Sequence, residues 1–149
     1  MVGTAIGIVR PAAEAILKTR GTTWGPGWVE GKIEAPGLEQ PILFLFGKKE
    51  EWSKKWGKTC DFSQIADKKF YLAKQEGIST GHIVNNCSWL LKEGEYLYPG
   101  AISYHGITIA ISGAFGLTDE GISYILIDTL IMLTKLEAKR RIDAGEVQI

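Results

Sequence analysis

Residues 98–112, YPGAISYHGITIAIS, read as two β-strands joined by the dipeptide His105–Gly106. A two-residue connection with a glycine to take positive φ is the tight turn of a β-hairpin. A turn there fixes the register: Tyr104 faces Ile107, Ser103 faces Thr108, Ile102 faces Ile109, Ala101 faces Ala110 and Gly100 faces Ile111. Because side chains alternate along a strand, one face of this hairpin is large and apolar (Ile102, Tyr104, Ile107, Ile109 and Ile111). The other face is small, with the Ala101–Ala110 and Ser103–Thr108 pairs. The large face feeds a core, and the small one lets a helix, a second chain or a flat ligand come close.

Downstream, SGAFGLTDEG leads into a long helix with Thr118 as the expected N-cap and Asp119 and Glu120 favourably set against the helix dipole. From 119 to 143 such a helix is about 37 Å long at 1.5 Å per residue, long enough to cross a domain whose radius of gyration is about 15 Å. Rotation by 100° per residue divides its apolar side chains into two groups. A broad face holds Ile122, Ile125, Leu126, Leu130, Met132, Leu133 and Leu136, and a second holds Tyr124, Ile127 and Ile131. A second apolar face on a surface helix marks a contact, and closed homo-oligomers are common. Self-assembly through Tyr124, Ile127 and Ile131 is therefore expected; the alternative cover is another element of the same chain, such as the N-terminal helix.

Upstream, Asp61 with Gln64 three residues on forms a capping box for a helix with apolar positions Phe62, Ile65, Ala66, Phe70 and Ala73, which Gly77 ends. GISTGHIV then reads as a loop, and a short strand is expected around 89–91. Pro11 followed by AAEAILKTR marks a first helix stopped at Gly21, with an earlier start near Thr4 and a kink at Pro11 as the alternative. TTWGPGWVEGKIEA reads as a loop and a strand. The apolar run from Ile42 to Phe46, between turn signals, reads as a strand covered on both faces. Separate runs of helices and strands make the fold α+β rather than a parallel sheet.

Length and charge narrow the function classes. At 149 residues the chain has the length of one domain and holds a core without metal or disulfide. Seventeen basic residues balance seventeen acidic ones, which argues against a nucleic-acid or polybasic membrane-surface protein. Two cysteines far apart, Cys60 and Cys87, read as reduced thiols. No signal peptide is visible and no apolar run reaches the roughly 20 residues of a membrane span, so the expected location is cytoplasmic.

No phosphate-binding loop and no zinc-ligand spacing is present. The candidate ligand contacts are His82, in the expected loop, and His105, whose ordinary role in a hairpin turn is to face water. Tyr104 sits beside His105. Lys69, next to Lys68, suits an anionic group such as a propionate, and a solvated helix face is its ordinary role. Trp52 and Trp56 suit stacking on a ligand or covering the sheet. No catalytic constellation is apparent, which favours a binding protein over an enzyme.

From Ala66 to about Thr134 the sequence resembles the GlcG-like haem-binding protein family. The resemblance is carried by Ala66, Lys69, Phe70 and Ala73, then YPGAISYHG, ITIAISGAFG and TDEGI, with SGA and the following DE the most specific part. The chain has Gly100–Ala101 where that family commonly shows two glycines. The resemblance implies a profilin-like, three-layer arrangement, an antiparallel sheet of about five strands with helices packed on it, assembled into oligomers. It also makes haem the candidate cofactor, with another flat small molecule as the alternative. From a different class, the chain is instead an accessory subunit of a metabolic enzyme system or an enzyme on a small metabolite.

Overall fold

The hairpin forms in the expected register. β3 (Ala101–Tyr104) and β4 (Ile107–Ser112) pair antiparallel with Tyr104 opposite Ile107 and Ala101 opposite Ala110, and the Ile111 amide donates to the Gly100 carbonyl at 2.8 Å. The turn places His105 at φ 48° and Gly106 at φ 80°. The structure, a computed structural model, describes residues 1–24, 27–50, 61–95 and 97–146.

β1 (Val29–Glu34) and β2 (Ile42–Phe46) complete an antiparallel sheet in the order β2-β1-β4-β3. Four strands are present among the described residues, where about five were expected. The missing one is the segment around Trp89: Ser88–Leu90 is a single 3-10 turn with Trp89 exposed, because three residues between a helix and a Gly-containing loop are too few to pair. β2 is also an edge strand, not one covered on both faces. Leu43 is 67% exposed there, so an unbroken apolar run did not signify two-sided burial.

Helices lie on both faces, making three layers. On the large face of the hairpin, α1 (Val2–Lys18) and α4 (Gly116–Asp143) pack together. Their core joins Val9, Ala13 and Leu17 to Val29, Ile33, Phe46, Ile109, Ile111 and Leu126. α1 starts at Val2 and carries Pro11 inside it, so it is longer than the stretch following that proline. On the small face, α2 (Phe62–Glu76) sits close: Ala66, Phe70 and Ala73 meet Ala101 and Ala110. Its ends follow the sequence signals. The Gln64 amide donates to Asp61 Oδ1 at 3.1 Å, and Gly77 takes the left-handed conformation at φ 70°.

GISTGHIV is not a loop. α3 (Thr80–Asn86) starts at Ser79, whose hydroxyl accepts from the His82 amide at 3.1 Å, the usual role of a serine cap. Thr80 reaches the edge of the sheet. Its hydroxyl accepts from the Ala101 amide at 3.0 Å and donates to the Ala101 carbonyl at 3.4 Å.

The long helix starts two residues before Thr118, with Phe115 as its N-cap. Its buried positions are Asp119, Ile122, Ser123, Leu126, Ile127 and Leu130. Ile127 is thus core, covered by its own chain, whereas Ile125, Met132 and Leu136 are exposed. Two polar residues, Asp119 and Ser123, occupy the middle of the buried arc. They split one face into what reads, by hydropathy, as two. Tyr124 stays 45% exposed and Ile131 packs against the rim of the core. Among the described residues no helix is long and apolar enough to cross a membrane.

Candidate functional site

Where β4 runs into α4, the start of α2 leaves a cleft of about 400 Å³. Trp24, Phe62, Ile65, Tyr98 and Phe115 form its walls, and Lys69, Ser112 and Asp119 its polar end. Phe62 is buried and meets Trp24 and Trp28 edge-on, with ring centroids 6.2 and 5.9 Å apart. The indole of Trp24 donates to the Ala114 carbonyl at 3.1 Å, which fastens the loop before β1 across the turn between β4 and α4. Mostly apolar walls with a few convergent polar groups are the usual make-up of a small-molecule site.

The polar end is built from three elements. Lys69 follows from the same helical spacing that aims Ala66 and Phe70 at the sheet, so its side chain runs beneath α2 and is 97% buried, being 3% exposed. Its ammonium donates to the Ile111 carbonyl at 3.1 Å and to Asp119 Oδ2 at 3.2 Å. Asp119 Oδ1 accepts from the Ala114 amide at 3.0 Å. Gly100, at φ 146°, makes the room: a Cβ there would come within 2.6 Å of both Lys69 Nζ and the Ile111 oxygen. Ser112, itself buried, lines the same cleft.

Burial sets the electrostatics. Loss of water pushes the Asp119 carboxyl up to about 6; Lys69 and the Ala114 and Gly113 amides pull the other way and offset it only in part. Loss of water likewise pushes the Lys69 ammonium down, against the pull of Asp119 and Glu120. Each group raises the cost of leaving the other charged and alone. Glu120 bends away, accepting from the Gly81 amide at 2.8 Å, and so ties α4 to α3.

The four residues singled out in the sequence do not meet in one place. Lys69 belongs to the cleft, in a buried ion pair and not on a solvated helix face. His82 and Tyr104 line a separate, more open groove of about 550 Å³, beside Tyr124, Ile127 and Ile131. His105 stands at the hairpin tip with its ring 4.1 Å from that of Tyr104. Tyr104, placed by register on the core side, is half exposed because it lies at the end of an edge strand. Trp52, Trp56 and Cys60 lie outside the described residues. Among the described residues no group of three metal-ligating side chains occurs.

Trp24, Phe62, Ser112 and Phe115 were not singled out by sequence, and Asp119 was read as a dipole charge. The available signal was a conflict: Lys69 and Asp119 each occupy a position that helical spacing assigns to the buried side.

No family model matches the chain, and no curated protein matches it. Among solved structures the chain is similar to the crystal structure of Ybr137w protein, with a TM-score of 0.54 and 16% identity, over 89% of this chain and 76% of that one. At that identity the likeness is one of fold: an α+β domain with helices on an antiparallel sheet.

Proposed function

We propose that this protein binds a small flat ligand without turning it over, and that the ligand enters the cleft at the start of α4. The observation that carries this reading is the convergence of Trp24, Phe62 and Phe115 on a buried Lys69–Asp119 pair. Aromatic walls take a planar molecule face or edge on, and the polar end fixes its direction. The segments that carry the resemblance to GlcG-like haem-binding proteins, Lys69 with 112–116 and Asp119, are those that build this cleft. That supports the profilin-like arrangement and keeps haem among the candidate ligands.

Haem has a second place to bind. His82 and Tyr104 both offer metal-ligating atoms to the open groove, and Lys135 lines it as well. Titration with haemin decides between the two. Binding in the groove gives a Soret shift that His82→Ala abolishes, and binding in the cleft gives one that Phe62→Ala abolishes. No saturable shift at micromolar haemin removes haem and leaves other flat molecules, which calorimetry on a panel of planar aromatic acids and aldehydes then tests.

The half-exposed Tyr124 and the part-buried Ile131 beside it support assembly of the protein with copies of itself through that side of α4, and the exposed Ile125, Met132 and Leu136 offer a second apolar surface. An accessory role in a larger enzyme system is the alternative use of that surface. Light scattering on the purified chain separates them, since only self-assembly gives a multiple of the chain mass without a partner.

A further inference from the structure

We infer that Lys69 is a carbonyl-reactive amine, and that the cleft captures a flat aromatic aldehyde reversibly as an imine on its Nζ. The inference rests on the cleft being a ligand site and specifies the chemistry of the ligand.

Three observations carry it. Among the described residues Lys69 is the one lysine lining the cleft, and it does so from a 97% buried position, between an aromatic chamber and a carboxylate. Its ammonium has three N–H donors; two go to Ile111 and Asp119, which leaves the third for the cleft. Ser112 is buried and lines the same space, placed to hydrogen-bond a ligand oxygen. A lysine held against apolar surfaces is the ordinary way a protein readies an amine for carbonyl addition. The downward push of burial on the Lys69 ammonium agrees, and the upward push on Asp119 suits that carboxylate to hold a proton in transit.

The step balances within the site. The ammonium passes a proton to Asp119, and the free amine adds to the aldehyde carbon, forming a carbinolamine. Asp119 returns its proton to the carbinolamine hydroxyl, which leaves as water. The product is a protonated imine facing the Asp119 carboxylate, with one water released and nothing oxidised or reduced. Hydrolysis runs the same path backwards, so the capture is binding and not turnover.

The test uses the whole protein and 4-hydroxybenzaldehyde, with sodium cyanoborohydride to reduce any imine to a stable secondary amine and peptide mass spectrometry to place it. Lys69 should be labelled about tenfold faster than exposed lysines such as Lys74 and Lys135 in the native protein. That preference should vanish in urea. Lys69→Arg, which keeps a cation opposite Asp119, should lose the adduct. Binding to the native protein with no label on Lys69, or with labels spread evenly over surface lysines, overturns the imine and leaves the binding site standing. No binding of any planar molecule overturns both.

Discussion

Lys69 and Asp119 meet 3.2 Å apart, fifty residues from one another in sequence, with each side chain at least 97% buried. Removing one partner of such a pair strands the other without water. Lys69→Met is therefore expected to cost about 3–5 kcal/mol, and Lys69→Met with Asp119→Leu much less, since two apolar groups of similar size replace the pair. Urea unfolding of the single and double variants measures both. A double variant no more stable than the single one would mean that the pair is not the source of the loss.

Asp119 also sets a pH dependence. Its carboxyl titrates at about 6 in the folded protein against an ordinary 3.8, so the folded state holds the proton more tightly than the unfolded one. The resulting stabilisation is complete below about pH 4 and is lost as pH rises through about 6. Lys69 acts in the opposite sense and at higher pH. Its folded value lies below the ordinary 10.5, so its contribution grows as pH rises from that value towards the ordinary one. In Asp119→Asn the fall in stability between pH 4 and 7 should flatten, as read from denaturation midpoints at each pH.

Gly100 should tolerate no side chain. At φ 146°, with Ile111 O and Lys69 Nζ each 2.6 Å from a would-be Cβ, Gly100→Ala pays backbone strain and displaces the ammonium. An expected loss of about 2–3 kcal/mol follows, visible as a lower melting temperature. At Gly3, where nothing lies within 4 Å, the same change should be harmless.

Ile127 separates the two readings of the last helix. Buried by its own chain at 2% exposure, it should cost about 2–4 kcal/mol on truncation to Ala at any protein concentration. Met132→Ala, on the exposed side, should stay within about 0.5 kcal/mol for the isolated chain. A cost for Met132→Ala that grows with protein concentration would place a second copy over that face.

The hairpin was legible to the residue because two constraints coincide there: a two-residue turn fixes register, and alternation of large and small side chains fixes faces. The cap at Asp61 and the stop at Gly77 were legible for a similar reason, since both act within one turn of helix. The cleft was not. Its walls come from the loop before β1, the start of α2 and the turn into α4, and no local pattern links Trp24 to Phe62 or Lys69 to Asp119. The packing of α4 is hidden for the same reason: Asp119 and Ser123 sit in mid-face and are core, because their partners, Lys69 and the Gly100 carbonyl, come from distant parts of the chain. GISTGHIV reads as a loop by its glycines and lack of periodicity, and the bond of the His82 amide to Ser79 that starts a helix there is a single local signal.

Thr80 has a consequence for how the margin of the sheet is closed. β3 lies at the margin of the sheet, and at Ala101 the outward main-chain donor and acceptor are both taken by a single hydroxyl. That side chain does the work of a neighbouring strand without offering a template for one. Thr80→Val keeps the shape and removes both bonds, leaving a fully buried amide and carbonyl at Ala101 without partners, so the harm expected is a lower melting temperature that begins at the margin a threonine had closed.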